Sequence, residues 1–144
     1  MESLTEVVKK EHERLNNMMG EIIESSKKEQ NLKELFNKFK WNLEKHFSLE
    51  EKGIFESFQM IKGEEVPMAF DLINEHAEIR AIIKQIESKL ENSESVLEDL
   101  YSVKKEVLLH EHTEDADFYP MLEGTLNENQ IKDIIIKCRE IIAG

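Results

Sequence analysis

Residues 46–55 read HFSLEEKGIF, and residues 110–119 read HEHTEDADFY. Both stretches contain a histidine, three intervening residues, two consecutive acids and, after two more residues, an apolar or aromatic pair. His12 and His76 extend the match, because they are separated by the same 64 residues that separate the two stretches (12 to 76, 46 to 110). An internal repeat of this kind indicates one structural unit that is used twice.

The apolar residues around the repeat recur every three or four positions, which is the period of a helix with one buried face. We predict a first helix over roughly residues 4–28 and a second from Asn31 to about Met60. Capping-box patterns mark the expected helix starts, with an acid or glutamine three residues after each capping residue. These capping residues are Ser3, Asn31, Ser95 and Asn127.

Two prolines and a glycine refine the predicted helix boundaries in the second half of the chain. Pro67 fits the first turn of a third helix. Pro120 lacks an N–H, so the fourth helix is expected to kink or end there, with Gly124 closing it. The expected fold is all-α: one domain that forms an up-down-up-down four-helix bundle. It contains two helical hairpins, at about 4–62 and 67–124, and a short C-terminal fifth helix at about 128–142.

The composition agrees with helices and excludes several functions. Glycine (5) and proline (2) are scarce, and 35% of the residues are charged. A net charge of -12 argues against binding to nucleic-acid phosphates. We see no apolar run of about 18 residues that could span a membrane. A lone cysteine, Cys138, and an N-terminus without a signal-peptide pattern lead us to expect a cytoplasmic protein.

The histidines of the repeat are expected at one level of the bundle. The hairpins should turn near Glu29 and Ser93, and each histidine lies 17 residues from its turn (12 to 29, 29 to 46, 76 to 93, 93 to 110). At about 1.5 Å per residue, every one of them is about 25 Å from the turn. Each also falls on the apolar stripe of its helix. These histidines are His12, His46, His76 and His110.

Two acids are expected beside these histidines. Glu50 and Glu114 follow His46 and His110 by four residues, so they project from the same helix faces. A single histidine on an apolar face is usually a core residue, but two buried carboxylates require a compensating cation. The sequence therefore predicts six metal ligands. They are His12, His46, Glu50, His76, His110 and Glu114.

Four imidazoles and two carboxylates are more ligands than one tetrahedral zinc uses, and they suit two six-coordinate ions. If both carboxylates and one oxygen atom bridge the ions, about one position on each ion is left for exchange. Such a position is what a small ligand such as O2 or NO needs.

These motifs resemble those of the hemerythrin-like domains, over roughly Leu4 to Leu122. The resemblance implies that the six residues hold two non-haem iron ions, bridged by the two glutamates and by an oxo or hydroxo group. It implies binding of O2 or NO for storage, sensing or delivery. It leaves open a di-iron redox enzyme (peroxidase, oxidase or NO-reducing) and an iron donor for repair of damaged iron–sulfur clusters. Expected partners are O2 or NO and, for redox chemistry, an electron donor; the chain is expected to be a monomer or weak dimer.

The chain departs from the oxygen-carrying hemerythrins in its third helix. Those proteins place a second histidine one turn after the ligand, where this sequence has Arg80, for which we expect a surface salt bridge. This difference disfavours simple O2 carriage and favours redox chemistry, NO binding or peroxide reactions. Two alternatives stay open: Asp115, five residues after His110, could bridge instead of Glu114, and Glu106 could be an extra ligand.

Other residues near the motifs are given ordinary roles. Glu11 and Glu75, each before a predicted ligand, are expected to be solvated rather than to support the histidines. His112 should be exposed, and Tyr119 should be a core aromatic residue.

Overall fold

The computed structural model of the chain describes residues 3–28 and 31–144, which form five helices and no strands. Helix α1 is Leu4–Lys28, α3 is Pro67–Glu91 and α5 is Glu128–Ala143. Helix α2 spans 32–62 and consists of Leu32–Ser48, the π-helical segment Leu49–Phe55 and Glu56–Lys62. Helix α4 spans 97–125 and consists of Leu97–Thr113, the π-helical segment Glu114–Phe118 and Tyr119–Thr125.

The four long helices pack as a bundle, which confirms the predicted all-α fold. Helix α1 packs on α2 and α4, and α3 packs on α4 and α2. The short helix α5 lies across the π-helical segment of α2. None of the helices in the described parts of the chain combines the length and the apolar character needed to cross a membrane.

Two of the four predicted helix caps are formed. Ser3 Oγ accepts a hydrogen bond from the Glu6 N–H (3.1 Å), and Asn127 forms a complete capping box with Gln130. Asn31 is the N-cap residue of α2 as predicted, but it has a left-handed backbone (φ 47°), and its side chain makes no capping hydrogen bond. The predicted start of the fourth helix is wrong. Helix α4 begins at Leu97 rather than at Ser95. The hairpin turn predicted near Glu29 lies outside the described residues.

Helix α4 does not end at Pro120, and it continues to Thr125. The π-helical segment Glu114–Phe118 lies directly before the proline, which then occupies the first turn of the final α-helical segment. Because proline has no N–H, α4 lacks one backbone hydrogen bond at this position but continues past it.

The buried apolar residues form two clusters along the bundle. One contains Leu4, Val8, Phe55 and Phe118, and the other, nearer the two hairpin turns, begins at Leu15. The level of His12 falls between them. The polar residues at the level of His12 therefore have an apolar cluster on each side along the bundle.

Candidate metal centre

The six predicted ligands converge in the middle of the bundle, and they come from all four long helices. Helices α1 and α3 supply one histidine each, while α2 and α4 supply a histidine and a glutamate each. None is more than 4% exposed. These residues are His12, His46, Glu50, His76, His110 and Glu114.

The six side chains form two overlapping groups, and within each group one ligand atom per residue lies within 4.8 Å of all the others. Site I contains His12 and His46, and site II contains His76 and His110. Glu50 and Glu114 belong to both sites. Two metal ions that share two carboxylates would fit this arrangement.

The shared carboxylates connect histidines of both sites. Glu50 Oε1 lies 3.3 Å from His46 Nε2 and 3.1 Å from His76 Nε2. Glu114 directs Oε1 to His12 Nε2 (3.1 Å) and Oε2 to His110 Nε2 (3.3 Å). Each glutamate therefore reaches one histidine of site I and one of site II.

The chemistry of this donor set fits divalent metal ions. Ligands of one ion, each about 2.1 Å from it, are at most about 4.2 Å apart, which is close to the observed clustering. The buried atoms Nε2 of His12, Nε2 of His46 and Oε1 of Glu114 have close neighbours in the centre, but none of them is in hydrogen-bond geometry with any described residue. A bound cation would satisfy these atoms and would offset the two buried carboxylates.

The two shared glutamates lie in the two π-helical segments, Leu49–Phe55 and Glu114–Phe118. Short π-helical turns inside α-helices are frequent at functional sites. Here the wider turn allows two consecutive acids to reach histidines: Glu50 contacts the centre, and Glu51 contacts the outer nitrogen of His76. We did not predict these segments, because their hydrogen-bond pattern has no clear sequence signature.

Three further carboxylates lie near the Nδ1 atoms of the histidines. His76 Nδ1 donates to Glu51 (2.6 Å) and His110 Nδ1 donates to Glu75 (2.7 Å). Asp115, the repeat counterpart of Glu51, lies 3.5 Å from His12 Nδ1. Carboxylates in this position orient an imidazole and strengthen it as a metal ligand. The expectation that Glu75 is merely solvated is therefore wrong.

Tyr119 is also part of the centre and not only a core aromatic residue. It is fully buried, and its hydroxyl donates to Glu50 Oε2 at 2.6 Å. Its oxygen is 3.5 Å from Glu114 Oε2. The hydroxyl leaves Glu50 Oε1 directed at the histidines. Tyr119 lies five residues after Glu114, and no signal in the sequence indicated this role, because the contact depends on the π-helical turn.

Arg80 forms ion pairs with two acidic side chains of α2. Its Nε donates to Glu44 (2.9 Å), and its Nη2 is 3.4 Å from Glu51. The guanidinium lies over the Phe47 ring, which stacks on His76 with ring centroids 3.9 Å apart. An aromatic ring and a cation therefore flank site II.

The remaining candidates lie outside both sites. Glu106 is half-buried and belongs to neither ligand group, and His112 is exposed as predicted. Glu111 is a buried residue that the sequence analysis missed. It accepts a hydrogen bond from Asn16 (2.9 Å), and burial raises its pKa.

The side chains of the centre strongly perturb one another's pKa. Burial opposes a charge on His12 and on His110, but the nearby carboxylates outweigh it and raise the pKa of each to about 11. Burial also opposes ionisation of Glu50, yet the adjacent His46 charge helps hold its pKa well below the usual range. Burial and repulsion from Glu50 raise the pKa of Glu114. The site is built to balance positive against negative charge.

Comparison with known proteins agrees with this geometry. Residues 3–131 match the family described as the hemerythrin HHE cation binding domain. No curated protein and no solved structure shows a significant match. The matched region contains all four long helices and every residue of both ligand groups, so the chain belongs to the hemerythrin HHE cation-binding domain family and is a metal-binding protein.

Proposed function

We propose that the protein holds two non-haem iron ions and binds a diatomic ligand, O2 or NO, for storage, sensing or delivery. The observation that carries this proposal is the pair of overlapping ligand groups that share Glu50 and Glu114. In this proposal the ligands are those two glutamates together with the histidines of sites I and II.

The donor set is one that suits iron. Imidazole and carboxylate together suit ions of borderline hardness, and each site has no thiolate. Each site offers two imidazoles and two carboxylates, which leaves coordination positions of an octahedral ion unfilled by the protein. Iron bound in this way supplies reversible binding of O2 or NO at such a position.

The chain's own residues support this function by orientation and by exclusion of water. Tyr119 fixes Glu50, and Glu51 and Glu75 fix the histidines of site II. Phe47 covers one face of His76, and the apolar clusters close the bundle at both ends. A small uncharged ligand can enter such a site at lower desolvation cost than an ionic substrate.

Metal analysis combined with optical spectroscopy tests the proposal. We expect about two irons per chain, and a reversible absorbance change when the reduced protein is exposed to O2 or NO. His112→Gln is the matched control, because His112 is an exposed histidine on the same helix as His110. Fewer than two irons at saturation, or no spectral response to either gas, would contradict the proposal. Sustained turnover of peroxide or NO with an electron donor would replace ligand binding with an enzymatic role.

A further inference from the structure

The Nδ1 atoms of the four histidines differ in whether a carboxylate accepts a hydrogen bond from them. In site II, His76 and His110 donate Nδ1–H to Glu51 and Glu75 through short hydrogen bonds of 2.6 and 2.7 Å. In site I, the nearest carboxylate to His12 Nδ1 is 3.5 Å away, and His46 Nδ1 has no hydrogen-bond partner in residues 3–28 and 31–144. Site I therefore has the weaker outer support.

The repeat shows which residue could support His46. Glu75 supports His110, and the residue 64 positions before Glu75 is Glu11. Glu11 does not contact His46, and instead it accepts two hydrogen bonds from Arg14, from Nη2 (2.8 Å) and Nε (3.3 Å). The residue 64 positions after Arg14 is Glu78, and its carboxylate cannot form an ion pair with the carboxylate of Glu75.

Arg14 is itself held in place from the other side. Its Nη1 donates to Asn42 Oδ1 at 2.6 Å, and Asn42 Nδ2 donates to the carbonyl of Lys38 at 2.7 Å. Asn42 is only 9% exposed, so this anchor is fixed within α2. The chain of bonds keeps the Glu11 carboxylate on the guanidinium.

A cavity of about 190 Å³ adjoins His46, and Glu11, Arg14 and Asn42 also line it. The cavity leaves room for the Glu11 carboxylate to move to His46. A water molecule there would be a neutral acceptor and would strengthen the imidazole less than a carboxylate does.

We infer that Arg14 makes the two metal positions unequal, because it holds Glu11 away from His46 and leaves site I with the weaker ligand set. This inference rests on the proposed binding of two iron ions. Loss of an outer carboxylate commonly weakens metal affinity by about 10- to 100-fold. Site II therefore fills first, and the ion at site I is the one that exchanges. An exchangeable ion is also what the alternative role as an iron donor requires.

Release of iron(II) to an excess of a coloured chelator, under anaerobic conditions, tests the inference on the intact loaded protein. Release should occur in two phases of one ion each, with rates that differ by about 10-fold or more. Arg14→Gln frees Glu11 and should slow the fast phase by about 10-fold without changing the slow phase. Glu75→Gln should accelerate the slow phase alone.

A double variant separates the role of Arg14 from a general change in packing. Glu11→Gln alone should leave both phases unchanged, and Arg14→Gln with Glu11→Gln should lose the slowing seen in Arg14→Gln. Two irons released in a single phase would overturn the inference while leaving the proposed function intact. Fewer than two irons bound at saturation would overturn both. If Arg14→Gln fails to fold, Arg14→Met, which keeps the aliphatic stem and removes the guanidinium, takes its place; an unchanged fast phase in that variant would overturn the role of Arg14.

Discussion

Tyr119 shows how one hydroxyl can organise a buried carboxylate. Its hydrogen bond to Glu50 Oε2 leaves Oε1 between His46 and His76. Burial and the neighbouring Glu114 and Glu50 charges raise the tyrosine pKa well above its usual value. The hydroxyl therefore stays protonated, and it remains a donor throughout the physiological pH range.

Replacement of Tyr119 by phenylalanine should weaken the metal centre without dismantling the bundle. A hydrogen bond to a charged group contributes roughly 1.5–3 kcal/mol. We expect Tyr119→Phe to bind two ions but to lose them to a chelator about 10-fold faster. Tyr101→Phe is the control, because Tyr101 is 44% exposed. Equal release rates in the two variants would show that the Tyr119 hydroxyl does not support Glu50.

Metal binding should release protons from the histidines. His12 and His110 have pKa values raised to about 11, so both are protonated at pH 7.5 before metal binds. An imidazole must be neutral at the nitrogen that binds a metal, so loading displaces these protons. We expect proton release on loading and an affinity that rises with pH above pH 6.

A pH indicator in weakly buffered solution measures this release during titration with iron(II). His112→Gln should release the same number of protons, because His112 lies outside the centre. An affinity that does not change with pH would contradict the charge balance described for the site.

At the residue scale, the sequence was sufficient to predict which histidines and glutamates converge on the centre. Spacing within helices and the 64-residue repeat place them on one face and at one level. It was not sufficient for Tyr119 or Glu51, because their roles depend on contacts made through the π-helical turns. The pairing of Arg14 with Glu11 was missed for a different reason, since both residues look like ordinary helix-surface charges in the sequence. Their significance appears only when the actual hydrogen bonds of the two halves are compared.

Among the secondary-structure elements, helix caps and π-helical segments illustrate two levels of predictability. The cap at Asn127 is a local exchange of hydrogen bonds with Gln130, so the local sequence is enough to predict it. Asn31 instead adopts a left-handed backbone, which asparagine tolerates well, and its side chain does not cap the helix. The π-helical segments depend on tertiary packing, which the helical period alone does not reveal.

Gly53 allows α5 to approach the π-helical segment of α2. A Cβ atom added there would lie 3.1 Å from Ile141 Cδ1 and 3.4 Å from Cys138 Sγ, whereas one added at Gly124 would have no neighbour within 4 Å. Gly124→Ala should stabilise the protein by roughly 0.5–1 kcal/mol through helix propensity and chain entropy. Gly53→Ala should be at least about 0.5 kcal/mol less stable than Gly124→Ala, because Ile141 must shift.

Urea denaturation of the two alanine variants, each loaded with metal, provides the comparison. An equal gain in the free energy of unfolding would show that α5 does not pack tightly on the segment.

For the whole molecule, the centre joins helices that are distant in sequence. All four long helices supply candidate ligands, and the two apolar clusters lie on opposite sides of the centre. Metal ions that bind only the folded chain stabilise it through mass action. The metal centre is therefore expected to act as a structural crosslink as well as a functional site.

Removal of the metal should lower the midpoint of thermal unfolding. At a free metal concentration of about 100 times Kd, one site contributes about 2.7 kcal/mol of stability. For a chain of this size that corresponds to roughly 5–10 °C for each site. Calorimetry before and after chelation, followed by reloading with iron, measures the change. Identical midpoints would show that the ligands do not join the helices through a metal.

The sharing of Glu50 and Glu114 has a consequence for the origin of the molecule. Each hairpin supplies both imidazoles of one site, and its glutamate belongs to both sites, which is the arrangement that a twofold repeat would give. Two identical hairpins could build the same centre as a homodimer, and duplication with fusion would place both copies in one chain. Fusion lets the two halves diverge, and the presence of Arg14 in one half where the other half has Glu78 is one such divergence. The inferred inequality of the two sites would be a departure from that symmetry, which two identical hairpins related by an exact twofold axis could not have.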